Sequence, residues 1–153
     1  METFLTESLL HQYEEILFLL KDLPDDFILA NHIPEKWSIH QNLAHLGRYQ
    51  EVFHKRMEKI MLEDTPDVGR YVHTEDAGME DWFSLSTQEV IEKTQAFRKA
   101  FAQQFISFSP ETLSRKGIHT LLGSMQMKEW LHFFILHEKH HIYTIFKLKM
   151  HFR

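Results

Sequence analysis

The chain has 153 residues, 43% of them hydrophobic and 25% charged, with a net charge of −5 when the histidines are neutral. A chain of this length buries roughly 70% of its unfolded surface, so a single domain over 1–153 with one sizeable core is expected. The negative balance does not suit a nucleic-acid footprint, and a chain with no cysteine can build no disulfide, cysteine nucleophile or thiolate ligand.

The first element is a helix over about residues 2–21, with Leu5, Leu9, Tyr13, Ile16 and Leu20 at steps of three and four. Pro24 ends it, since proline cannot continue a helix. The acidic start, Met1-Glu2-Thr3, lacks the basic region of a secretion signal, and no apolar run reaches the length of a membrane span. A cytoplasmic protein without membrane partners is therefore expected.

Ser38 and Gln41 form a capping box that opens the second helix. Ile39, Leu43, Leu46, Phe53, Met57 and Ile60 line its apolar stripe, which only Gln50 interrupts. His45 lies roughly 120° from the stripe centre, on the flank of Tyr49, where a half-exposed side chain is the ordinary expectation. Residues 64–85 read as a long loop, either a wall beside a site or a solvated connector. Ser86 and Glu89 form a second capping box. They open a third helix with Val90, Thr94, Phe97, Phe101 and Phe105 on one side, closed by Ser109-Pro110. Residues 110–123 look irregular, with one short turn at most and no β-alternation. Gly123-Ser124 then precedes a fourth helix. Four helices with a short 22–38 link predict an all-α fold, an antiparallel four-helix bundle.

The fourth helix carries Trp130, Phe134, Ile145 and Leu148 on one stripe, and His137 and His141 occupy the apolar steps between them. Four residues apart, the two imidazoles share one face. A buried polar nitrogen without a partner costs roughly 1–3 kcal/mol, and a shared divalent metal satisfies two at once. Among 12 histidines, however, pairs at helical spacing also arise by chance. His11, His32, His40, His54, His73, His119, His132 and His151 are read as surface or singly hydrogen-bonded residues. Leu131, Phe133, Ile135, Leu136, Ile142 and Phe146 cover much of the rest of this helix. It is thus either the central helix or part of a homodimer interface.

His137-Glu138-Lys139-His140-His141 matches the His-Glu-x-x-His pattern of zinc proteases, with Glu138 in the place of the general base. The surroundings do not suit that chemistry, because no downstream acidic residue offers a third ligand and no sheet edge is expected to hold a peptide. A third ligand is better sought on another helix, and His45 is the candidate. Three neutral imidazoles with one open position make a site of the catalytic zinc type.

Trp37-Ser38-Ile39, then Asn42-Leu43-Ala44-His45-Leu46, then the late His137-Glu138-x-His140-His141, resemble the DinB/YfiT-like superfamily of bacterial metal-binding four-helix bundles. The resemblance implies His45, His137 and His141 as metal ligands, with His140 structural or supporting. It also implies a metal-dependent transferase using a small thiol of the bacillithiol or mycothiol kind. Many relatives continue the late cluster with Gly-Gln where this chain has Ile142-Tyr143-Thr144, which alters the wall one turn beyond the metal. The resulting expectation is a divalent metal, zinc or nickel foremost, activating a low-molecular-weight thiol toward a small electrophile held under the 64–85 loop. Glu138 or His140 would orient ligands or move a proton. The alternative is a non-catalytic metal- or ligand-binding dimer. Either way, metal binding should weaken as pH falls toward about 6, where free imidazoles protonate.

Overall fold

The computed structural model describes residues 2–152. Its elements in order are α1 (Thr3–Leu20), α2 (Asp25–Leu29), α3 (Ile39–Leu62), α4 (Gly78–Phe83), α5 (Thr87–Ile106), α6 (Pro110–Ser114), β1 (Lys116–His119), β2 (Gly123–Gln126) and α7 (Met127–Lys149). The four long helices, α1, α3, α5 and α7, form the expected four-helix bundle, although not every neighbouring pair in it is antiparallel. Both capping boxes are present: the Ser38 hydroxyl accepts from the Gln41 amide at 3.1 Å and the Ser86 hydroxyl from the Glu89 amide at 3.3 Å. Among the described residues no helix is long and apolar enough to cross a membrane.

Pairs of contacts along the helices give their directions. Asn42 meets His141 and Phe53 meets Phe134, so α3 and α7 are antiparallel. On the neighbouring side His40 meets Thr87, Gln50 meets Arg98 and His54 meets Gln104, so α3 and α5 run the same way. Joining two parallel neighbours requires the chain to return along the bundle. That is why the connection from α3 to α5 is long. The segment is also more structured than a plain loop. It contains a 3-10 turn at His73–Glu75 and the helix α4. Its early part adds to the strands, with the Val68 amide bonded to the Ile118 carbonyl at 3.0 Å. Arg48 of α3 grips Asp76 through two hydrogen bonds of 2.7 and 2.8 Å, which ties the segment down. The guanidinium beside it holds the Asp76 carboxyl down at about 2.

The expectation of irregular chain over 110–123 is corrected here. That region holds α6 and the first strand of an antiparallel hairpin, with Lys116 opposite Gln126 and His119 opposite Gly123. Gly123 has φ +75°, the left-handed conformation that a tight hairpin turn needs and that glycine adopts without strain. The fourth helix begins at Met127, where the Gln126 amide donates to the Glu129 carboxylate at 2.6 Å.

The predicted stripes are buried: Leu9, Ile16, Leu43, Phe53, Val90, Phe105, Trp130 and Ile145 are all 0% exposed. They fall into two apolar clusters, one around Phe53, Phe101 and Trp130, the other around Ile16, Leu43 and Ile145. Between the clusters each long helix contributes buried polar side chains at one level: Gln12 from α1, His45 and Gln50 from α3, Thr94 and Arg98 from α5, Glu138 and His141 from α7. This polar layer across the middle of the bundle holds the chemistry of the molecule.

Candidate metal centre

One half of the layer is a histidine cluster. His45, His137 and His141 each offer a ring nitrogen, and those nitrogens lie within 4.8 Å of one another. The Nε2 atoms of His45 and His137 are 3.2 Å apart. Two nitrogens bound to one tetrahedral zinc stand about 3.4 Å apart, so this spacing fits a shared ion. The Nδ1 atoms of His45 and His137 are buried without a hydrogen-bond partner. The rings therefore converge on one another rather than on acceptors of their own.

The exposure expected for His45 is overturned, since the residue is only 4% exposed. The helical angle does set the residue off the stripe, but α7 packs against that flank too. Tyr71 and His73 of the long connection add aromatic cover, their ring centroids 5.8 and 5.9 Å from that of His45. Trp37, just before α3, lies 5.0 Å from His45 and 4.7 Å from His73. The segment over 64–85 thus does supply a wall beside the cluster.

His141 is oriented by Asn42. Its Nδ1 donates to the Asn42 side-chain oxygen at 2.8 Å, and the Asn42 amide donates to the Ser38 carbonyl at 2.8 Å. That bond places the ring proton on Nδ1 and leaves the Nε2 lone pair free, the arrangement that metal-ligating histidines use. The capped start of α3 therefore sets the tautomer of a histidine on α7.

Burial lowers the pKa of all three rings, and neighbouring imidazoles lower it further. His45 falls to about 3, His137 to about 4 and His141 to about 2. Neutral imidazoles are the ligand form, and these are neutral throughout the physiological range. Protons therefore compete for these nitrogens only below the ordinary imidazole range.

Glu138 does not join the cluster. One residue further along α7 turns it about 100° from His137, toward α1 and α5. There it is 1% exposed, pairs with the Arg98 guanidinium, and accepts from the Gln12 amide at 2.7 Å. Burial pushes its carboxyl up, and the charge of Arg98 pulls it back. Arg98 also donates to the Gln50 side chain at 3.1 Å, which accounts for the glutamine interrupting the α3 stripe. No hydrogen bond links Glu138 to a histidine of the cluster among the described residues. His140 is exposed, its ring centroid 5.3 Å from that of His141. Of the eight histidines read as surface or singly hydrogen-bonded residues, His40 and His119 are instead buried, at 5% and 6% exposure, each with two hydrogen-bond partners. His40 packs beneath α4 against Thr87, and the His119 ring accepts from the Leu121 and Leu122 amides of the hairpin turn.

Arg98 is absent from the sequence-based candidates, although it stands four residues after Thr94 on the apolar side of α5, the same sign that marks His137 and His141. The orienting role of Asn42 has no sign in the sequence, because it depends on the register between α3 and α7.

Two cavities open on the cluster. One, of about 560 Å³, is bordered by Trp37, Asn42, His73, His140 and His141. The other, of about 340 Å³, is bordered by Tyr49, Arg56, Arg70, Tyr71, His119 and His137. A larger groove of about 700 Å³ runs between α1 and α7 past Phe18 and Phe146. It touches none of the three histidines, so volume alone does not locate the site.

The model of the DinB superfamily matches residues 8–145. In fold the chain is similar to YfiT from Bacillus subtilis, with a TM-score of 0.84 at 15% identity over 97% of this chain and 86% of that one. That protein is described as a probable metal-dependent hydrolase with an unusual four-helix bundle topology. The chain is also similar to an uncharacterized protein from Clostridium difficile 630, with a TM-score of 0.71 at 17% identity over 95% of this chain and 94% of that one. At these identities the likeness speaks for the fold. No curated protein matches the chain.

Proposed function

This chain belongs to the DinB superfamily, and we propose that His45, His137 and His141 hold a divalent metal, zinc or nickel foremost, in a transferase that joins a small-molecule thiol to an electrophile. The observation that carries the reading is the convergence of three neutral imidazoles from two helices, His45 and His141 buried and His137 half-buried, with cavities on both sides and no fourth His, Cys, Asp or Glu in the group among the described residues. A closed structural site would have four protein ligands. A bound ion would supply a Lewis acid that lowers the pKa of a thiol or water at the open position.

The residues of the chain supply the rest. Asn42 holds His141 in its ligand tautomer. Trp37, Tyr71 and His73 wall the cluster and limit water. His73 and His140, both bordering the larger cavity, are placed to exchange protons with a group bound there. Glu138 is bound to Arg98 and Gln12, so it has a structural part in this scheme rather than that of a general base. A hydrolase acting through water at the same position is the second reading, favoured by the likeness to YfiT. It would proceed without the carboxylate of the His-Glu-x-x-His pattern.

A homodimer accords with the exposed apolar side chains beside the α1–α7 groove, Phe18 at 74%, Tyr143 at 60% and Phe146 at 43%. A cysteine-free chain that handles thiols suits the reducing cytoplasm.

The test is elemental analysis of the purified protein, followed by turnover with a thiol panel and monochlorobimane. One metal per chain is expected, lost in His45→Ala, His137→Ala and His141→Ala together with transfer activity. Stoichiometric metal in all three variants would remove the site. Ester or amide hydrolysis without thiol transfer would select the second reading.

A further inference from the structure

The smaller cavity has a feature the histidine cluster does not explain. Arg56 is 8% exposed. Its Nη2 donates to the Gly69 carbonyl at 3.3 Å, and its Nη1 is buried with no acceptor at hydrogen-bond geometry, while the guanidinium stands close enough to the Tyr49 hydroxyl to act on its pKa. Its guanidinium carbon stands 5.9 Å from the Trp130 ring. Arg70, exposed, borders the same cavity. Arg48 and Arg98 are each paired with a carboxylate, whereas Arg56 and Arg70 have none among the described residues. His119 lies beside both, and its Nδ1 is occupied by two backbone amides, so its ring proton is on Nε2, a further donor. Burial, with the charges of Arg56 and Arg70, keeps that ring neutral by lowering its pKa.

The lining of this cavity thus contains two guanidinium groups and no Asp or Glu, in a chain whose net charge is −5. Burying a charge without a counter-ion is costly, and the cost is recovered when an anion with matching acceptors binds. A guanidinium presents donors in a flat fork that suits carboxylate and phosphate oxygens. From Tyr49 to Arg56 is seven residues of α3, about 10 Å of helix rise. The cavity runs from His137 and Tyr49 at one end to Arg56 and Arg70 at the other.

We propose that Arg56 and Arg70 form an anion subsite, which holds a carboxylate or phosphate group of the small molecule whose reactive end lies at His137. The proposal rests on the small-molecule reading of the histidine cluster, and it makes that substrate an elongated anion. The subsite belongs to the protein whether or not a metal is bound. Its failure is therefore separable from failure of the metal reading.

Calorimetry tests it, with succinate, inorganic phosphate and neutral succinamide titrated into the protein as purified and after chelator treatment. One succinate or one phosphate is expected to bind per chain in both preparations, at least about tenfold tighter than succinamide. The tighter of the two anions identifies the group. Arg70→Gln, at an exposed position that leaves the fold intact, and Arg56→Met should each weaken that binding about tenfold, with metal content unchanged. Binding of succinamide equal to that of both anions would overturn the subsite. So would binding that survives both substitutions. Anion binding that disappears with the chelator would also overturn it, because the anion would then be reading the metal.

Discussion

Removing Arg98 should be among the most damaging single substitutions in this protein. In Arg98→Met the side-chain volume is roughly kept, but Glu138 loses its counter-ion at 1% exposure. The Gln12 amide remains at 2.7 Å, one neutral hydrogen bond against a full charge. Breaking a buried pair by removing one partner costs about 3–5 kcal/mol. For 153 residues the unfolding entropy is about 0.3 kcal/mol per kelvin, so Tm should fall by roughly 10–15 °C. The stranded carboxylate can escape by taking up a proton. Because burial already raises its folded pKa above the unfolded value, ionisation opposes folding, and the loss should be larger at pH 8 than at pH 5. Replacing both partners, Arg98→Met with Glu138→Met, leaves no uncompensated charge and should restore at least half of the lost stability. Thermal melts followed by circular dichroism at the two pH values decide it. A single variant that melts within about 3 °C of the parent, or a double variant that loses the sum of both singles, would refute the idea that the pair acts as a unit.

Three further outcomes follow from the same layer. Asn42→Ala removes the acceptor on His141 Nδ1 and should weaken metal affinity about 10–100-fold in a competition assay with a chromophoric chelator, while the ligands themselves remain. In chelator-treated protein the three histidines have folded pKa values of about 3, 4 and 2, below the ordinary 6.5. The unfolded chain therefore binds more protons as pH drops below about 6.5, and stability should fall by up to about 1.4 kcal/mol per pH unit for each ring. Above about pH 7 these groups contribute no slope, and a Tm that stays constant from pH 7 to 5 would contradict the buried placement. Gly47→Ala should destabilise by about 1–3 kcal/mol in urea titration, because a Cβ there would lie 2.1 Å from the Trp82 ring where α4 packs on α3.

Periodicity alone determined a good deal of this molecule. The apolar stripes of the four long helices and the two capping boxes at Ser38 and Ser86 are local properties, set by residues within one or two turns of each other, and they could be read directly. The pair His137 and His141 was legible for the same reason, since polar side chains at apolar steps of a helix must meet something. Three other matters required the packed structure. Burial of the His45 flank depends on α7 and on the connection that folds over it. The turning of Glu138 toward Arg98, away from the histidines, depends on which neighbours α7 has on each side. The hairpin at 116–126 has strands of four residues, too short for alternation to show, and it is held by pairing with Pro66 and Val68 of the long connection and by packing on Ile60 and Trp130. A helical period states which face of an element is apolar. It carries no information about which other element covers that face, and in this protein the polar layer is assembled from those pairings.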